Sequence, residues 1–278
     1  MAKGKSIGVI AIKGGVGKTT TVVSLGAILA NDYKQKVLLI DANLSAPNLG
    51  MHLGIGKPKG TLKDVLLDKI SIKDALFKHE LGFDVLPSVF TSNAERFSVY
   101  KLKEKLDAIR SKYDYVLIDS SPNLNNEMLL SMAASDELVV VTTPDNPTLM
   151  CTIEAVEAAK KQNTPIKGLI INKRRGKSFE VSQETIENLA KVPILGVLPD
   201  DINILKALSE GTPVSNYSRR AKISNLYRGI AENVMGSDFQ KPLTISRRFK
   251  NFFGQFVSVE AEDSAEPKPV AADKPILP

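Results

Sequence analysis

The chain has 278 residues, 43% of them hydrophobic, and the apolar residues spread through the first 235 positions suffice for one sizeable α/β core followed by a tail. Its formal net charge of +6 permits attraction to nucleic acid or to an anionic membrane surface without demanding either. Cys151 is the only cysteine, which excludes an intrachain disulfide and a cysteine-built zinc or iron–sulfur site within one chain.

Lys3 and Lys5 precede an apolar run of about seven residues, too short for a secretory core, so a cytoplasmic protein is expected. No stretch approaches the roughly 18 apolar residues of a spanning helix, and any membrane association is expected to be peripheral, on the inner face. Ser6 to Ile12 reads as a buried strand, and Thr19 to Ala30 carries Val22, Val23, Leu25, Gly26 and Leu29 at helical spacing. Between them lies Lys13-Gly14-Gly15-Val16-Gly17-Lys18-Thr19-Thr20. A glycine-rich turn opening into a helix lets phosphate oxygens approach backbone N–H groups that a Cβ would obstruct, and the helix N-terminus adds partial positive charge. Lys18 supplies a full charge, and the Thr19 hydroxyl can complete a Mg²⁺ shell.

The usual template G-x-x-x-x-G-K-[ST] fails at its first position, which is Ile12. The run K-G-G-V-G-K-T instead resembles the deviant Walker A motif of the MinD/ParA family of P-loop ATPases. That resemblance implies a doubly wound, mainly parallel α/β sheet flanked by helices, with ATP and Mg²⁺ at the strand carboxyl ends. It further implies slow, partner-stimulated hydrolysis in a homodimer that sandwiches ATP, with Lys13 reaching the neighbouring subunit's phosphates much as an arginine finger does.

Val37 to Ile40 is a second apolar run, and it delivers Asp41 to the crevice that the glycine loop borders. The segment Asp41 to Leu49 resembles the family's first switch region, commonly D-x-D, but Asn43 replaces the second carboxylate and cannot take a proton from water, so either Asp41 positions the attacking water, as the resemblance implies, or turnover is slow. Residues 60 to 80 read as two short helices, with His52 and His79 as surface or packing residues. Phe83 to Leu86 is expected to be a strand, and Ala94 to Lys112 a long, charged outer helix.

Tyr115 to Ile118 repeats the earlier design and ends in Asp119, a Walker B pattern whose carboxylate would hold Mg²⁺ opposite Thr19. Ser120 to Asn126 resembles the second switch region, with Asn123 to Asn126 replacing the small turn common there. Glu137 to Thr143 is a buried strand, followed by an amphipathic helix over 148–161 with Met150 and Cys151 expected in or near the core. Ile166 to Ile171 and Ile194 to Leu198 are strands. By resemblance, the residues that follow them, Asn172 and Pro199, would meet adenine; turn residues without ligand contact are the competing reading. Asp201 to Val214 also matches the family pattern, which thus spans about Lys5 to Met235.

Beyond Gly236 the composition changes. Ile245, Phe249, Phe252, Phe253, Phe256 and Val257 fall on one helical stripe, with Arg247, Arg248 and Lys250 mostly off it, so 237–257 reads as a basic amphipathic helix for a membrane interface. A helix docked on the body of the protein, or one bound by a partner, is the competing reading. Residues 258–278, rich in proline, alanine and charge, are expected to be disordered. The sequence therefore suggests a MinD-like positioning ATPase with an unidentified activator or cargo. Its rivals are a ParA-like module that meets nucleic acid through Arg219, Arg220, Lys222 and Arg228, and a flagellar-number regulator of the same family.

Overall fold

The strands of the protein are continuous apolar runs because both faces of the sheet are covered. In β2 (Val37–Asp41) and β5 (Tyr115–Asp119), Leu39 and Leu117 pack on one face while Leu38, Ile40, Val116 and Ile118 pack on the other. The computed structural model describes residues 4–90 and 97–236. Between β1 (Lys5–Ile10) and β5 the chain forms α1 (Lys18–Asn31), β2, α2 (Leu49–His52), α3 (Leu62–Leu66), α4 (Ile72–Ala75), β3 (Phe77–Lys78), β4 (Asp84–Leu86) and α5 (Lys101–Asp107). It continues through α6 (Asn126–Ala133), β6 (Glu137–Thr142), α7 (Asn146–Lys161), β7 (Ile166–Arg174), α8 (Gln183–Ala190), β8 (Ile194–Pro199), α9 (Ile202–Ser209), α10 (Val214–Tyr217) and α11 (Lys222–Met235).

The sheet order is β3-β4-β2-β5-β1-β6-β7-β8, and only the short β3–β4 pair is antiparallel. This is the doubly wound, mainly parallel architecture expected. The chain winds outward from β1 to one side and later returns to its other side with β6, which opens a crevice at the carboxyl end of β1. Helices α1 and α11 cover one face, where Val22, Leu25, Leu29, Tyr227 and Ile230 join Val9 and Leu39. On the opposite face α3, α5 and α6 cover β2 and β5, and α7 and α8 cover β6 and β7.

Several expectations are corrected. The long helix over 94–112 shrinks to α5, with residues 91–96 outside the described set. The Ser98 hydroxyl accepts the Tyr100 N–H at 3.3 Å and its carbonyl takes the Lys101 N–H, a turn that starts the helix late. At the other end a 3₁₀ turn, Arg110–Lys112, lets the buried Arg110 guanidinium reach the Gly4 carbonyl and the Asp136 carboxylate. Met150 is 67% exposed, because the inner face of α7 is filled by Leu149, Thr152, Ala155, Val156 and Ala159; Cys151 is half-buried. Helix α11, which the sequence reading passed over, turns Ile223, Tyr227, Ile230 and Val234 inward. His79 packs as expected, stacked on Phe83 with its Nε2 3.0 Å from the Leu53 carbonyl oxygen.

No helix among the described residues is long and apolar enough to cross a membrane. The amphipathic stretch with Ile245, Arg247, Arg248, Phe249, Lys250, Phe252, Phe253, Phe256 and Val257, and the tail after it, lie outside the described residues.

Candidate functional site

The loop between β1 and α1 takes its shape from two glycines at positive φ, Gly15 (74°) and Gly17 (103°), a region closed to most side chains. At Gly17 a Cβ would also lie 2.2 Å from Asn172 Nδ2, so glycine is required by its neighbour as well as by its torsion. Lys13, Gly14 and Gly15 are exposed at the mouth of the crevice, Val16 is buried, and Lys18 begins α1 and is buried. Burial lowers the Lys18 ammonium pKa, and the nearby Asp119 carboxylate partly restores it.

Asp41 and Asp119 close β2 and β5 as register partners, so two carboxylates end side by side, each without solvent exposure. Asp119 Oδ2 accepts the Thr19 hydroxyl at 2.6 Å, while its Oδ1 is buried with no hydrogen-bond partner. Burial pushes the Asp119 carboxyl up to about 6 against the pull of Thr19 and Lys18. Asp41 is raised well above the ordinary carboxylate range by burial and by the charge of Asp119. An unpartnered buried oxygen, a second carboxylate and a hydroxyl form a hard-oxygen donor set that suits Mg²⁺.

In the loop after β2, Asn43 stands where the family commonly has a second carboxylate. Asn43 turns inward on its own loop, where its Nδ2 donates to the Ala46 carbonyl and its Oδ1 accepts the Ala46 N–H at 3.2 Å. It shapes the loop. Both Asp41 oxygens accept backbone N–H groups of that loop, from Asn43 at 3.2 Å and Leu49 at 3.1 Å.

Strand β7 runs on to Arg174 and β8 includes Pro199, so Asn172 and Pro199, expected just after their strands, are the third-last residue of β7 and the last residue of β8. Asn172 Nδ2 donates to the Val16 carbonyl at 2.8 Å, and its buried Oδ1 lacks a partner and can accept a donor from a ligand. Three contributors escaped the sequence reading. Lys173, at φ 58°, donates from Nζ to the Gly15 carbonyl at 2.7 Å and braces the glycine loop from outside. Asp145 and Thr148, at the start of α7, hold the Lys13 ammonium at 3.2 Å and 2.8 Å. Their Asp-x-x-Thr spacing is an N-cap signature, which marks the start of α7 but not its contact with Lys13: Asp145 accepts the Thr148 N–H at 3.0 Å. Burial pushes the Asp145 carboxyl up, but Thr143, Thr148 and Lys13 together overcome it and hold the group near about 2.

Of the basic residues offered as nucleic-acid contacts, Arg219 and Arg228 are both engaged by Asp32, at 2.6 Å and 2.7 Å. Arg228 also donates to the Arg219 carbonyl and to Asn225. That leaves less charge on this face than the sequence count implies.

Residues 4–167 match the AAA domain family. An ATP-binding protein of Methanocaldococcus jannaschii is 34% identical over 226 residues, covering 81% of this chain and 85% of the relative. The septum site-determining protein MinD of Synechocystis is 30% identical over 233 residues, covering 81% and 87%. The structure of MinD from Pyrococcus horikoshii, complexed with Mg-ADP, superposes with a TM-score of 0.77 at 29% identity and covers 83% of this chain and 95% of that one. With a glycine loop, a buried lysine and paired strand-end carboxylates in one crevice, and relatives that extend over four-fifths of its length, the chain belongs to the MinD/ParA family of P-loop ATPases.

Proposed function

We propose that the protein binds Mg-ATP in this crevice, dimerises across it, attaches to the membrane through residues 245–257 and is released on hydrolysis, serving the placement of a cargo or division machinery. The observation that carries the reading is the buried, unpartnered Asp119 Oδ1 beside the Thr19 hydroxyl, at the foot of the glycine loop. Thr19 and Asp119 would hold Mg²⁺, which when bound neutralises phosphate charge. The loop N–H groups and Lys18 would bind the β- and γ-phosphates. Asp41, beside Asp119, would orient the attacking water once its loop N–H donors yield. Asn172 Oδ1 would accept the adenine amino group, with the Pro199 backbone against the ring.

Lys13 stands exposed at the crevice mouth, held by the exposed Asp145 carboxylate and the Thr148 hydroxyl of its own chain, which suits a residue that transfers to a second subunit's phosphates. Dimerisation presents two C-terminal stretches to the same surface. Burying a phenylalanine contributes roughly 1.5–3 kcal/mol at full burial, so one stretch binds weakly and two bind with avidity.

The deciding experiment is co-sedimentation with anionic liposomes in ATP, in ADP and without nucleotide, comparing the full chain with one ending at Gly236. Pelleting that needs both ATP and the C-terminal stretch is expected. Pelleting independent of either overturns the membrane reading, and salt-sensitive retention on duplex DNA instead favours the nucleic-acid rival.

A further inference from the structure

Glu127, in the first turn of α6, reaches across from the loop after β5 to the loop after β2. Its carboxylate accepts the Leu44 N–H at 3.1 Å, the Ser45 N–H at 3.4 Å and the Ser45 hydroxyl at 2.8 Å. Those two loops begin at Asp119 and Asp41, the paired carboxylates of the site. The anchor of Glu127 is itself tied to the nucleotide loop. The Asn123 N–H donates to the Ile12 carbonyl at 2.8 Å, the Asn125 N–H to the Asn123 carbonyl at 3.0 Å, and the Ser121 hydroxyl to Asn125 Oδ1 at 2.8 Å. Asn125 Oδ1 also takes the Met128 N–H and so fixes the start of the helix that carries Glu127.

We propose that Glu127 is a positioning residue that couples the two loops. A shift at Ile12 or Asp119 on nucleotide binding would pass through Asn123, Asn125 and the α6 N-terminus to Leu44 and Ser45, and from there to the N–H groups that cap Asp41. Asn43 makes this coupling necessary. Its amide is consumed by Ala46, so Asn43 itself does not reach the site, and the loop is held by Asp41, which takes the Asn43 and Leu49 N–H groups, and by Glu127, which grips Leu44 and Ser45 between them. Glu127 is half-buried and takes three donors with one carboxylate, which fixes the backbone of two successive residues, where a single surface ion pair would leave them free to turn.

The proposal rests on the site binding Mg-ATP, and the test separates the two. Backbone hydrogen exchange is followed over residues 12–19, 43–49 and 120–125 with and without Mg-ATP, in the wild type, Glu127→Ala, Glu127→Gln and Ser45→Ala, alongside steady-state ATPase kinetics. In the wild type all three segments gain protection. In Glu127→Ala, residues 12–19 and 120–125 still gain it, 43–49 does not, and kcat falls about tenfold with nucleotide affinity held within about twofold. Glu127→Gln, which keeps an acceptor oxygen, recovers part of both losses. Ser45→Ala gives a smaller loss, and the double variant is no worse than Glu127→Ala alone. Full nucleotide protection of 43–49 in Glu127→Ala, or additive losses in the double variant, overturns the coupling. Absence of protection at 12–19 in the wild type overturns the nucleotide reading instead.

Discussion

Lys13 and Asp145 are joined within one chain, Nζ to Oδ1 at 3.2 Å, with both side chains more than two-fifths exposed. A pair so open to solvent is worth only about 0–1 kcal/mol and the hydrogen bond to the Thr148 hydroxyl about 1 kcal/mol, so a triphosphate presented by a second subunit can take Lys13 from both at modest expense. Lys13→Ala is therefore expected to leave the melting temperature within about 2 °C and monomeric nucleotide binding intact, while ATP-dependent dimerisation is lost and kcat falls roughly 10³-fold or more. Light scattering with ATP and a turnover assay check this. Unchanged turnover refutes the cross-subunit role.

Asn172 has two duties on one amide. Its Nδ2 holds the Val16 carbonyl while Oδ1 waits, buried, for a donor. Adenine offers an amino group there and guanine a carbonyl oxygen. Asn172→Asp places a charge against the Val16 carbonyl and weakens the loop, whereas Asn172→Ala removes both contacts. Competition binding should find the alanine variant about tenfold weaker for ATP, with most of its preference for ATP over GTP gone. Preserved base selectivity in that variant removes Asn172 from the adenine site.

Gly17→Ala tests the loop itself. The new methyl would meet Asn172 Nδ2 at 2.2 Å and force alanine to φ 103°. Strain of this kind is expected to cost about 1–3 kcal/mol, read by chemical denaturation, with nucleotide binding abolished. The double variant Gly17→Ala with Asn172→Ala relieves the collision but leaves the torsion, and recovers only part of the stability.

What could be read before the structure follows from how far apart the cooperating residues lie. The glycine loop, Lys18 and Thr19 sit within one strand-turn-helix, and Asp41 and Asp119 each terminate an apolar run, so local pattern sufficed for them. Lys13 with Asp145, Asn172 with Val16, and Glu127 with Ser45 meet across 132, 156 and 82 positions, and no local signal announces such pairs. The contacts of Asn43 were out of reach for a related reason. Its type said only that it cannot take a proton from water, and its turn back to Ala46 belongs to the folded loop. Charge runs misled in the opposite sense, since the length of the helix ending in α5 was set by Ser98 and Arg110 and by no feature of its exposed face.

The carboxylate pair makes stability depend on pH in a direction opposite to most acidic residues. Asp119 is pushed up to about 6 and Asp41 is also raised, both by burial first. A carboxyl bound more tightly to its proton in the folded state stabilises that state below its unfolded value, near 4, and the benefit is lost as pH rises through the folded value. Between pH 5 and 7.5 the metal-free protein should thus lose on the order of 1 kcal/mol from Asp119, with Asp41 adding in the same direction. Asp145, held near about 2, adds no slope in that window, because it is ionised throughout. Mg-ADP would supply the charge that the ionised pair lacks, so its stabilising effect should be larger at pH 7.5 than at pH 5. Calorimetric melting in EDTA and in Mg-ADP at both pH values checks this, and Asp119→Asn should flatten the metal-free slope and remove the Mg²⁺-dependent gain together. A gain in melting temperature equal at the two pH values would mean that the buried carboxylates are not where the metal binds.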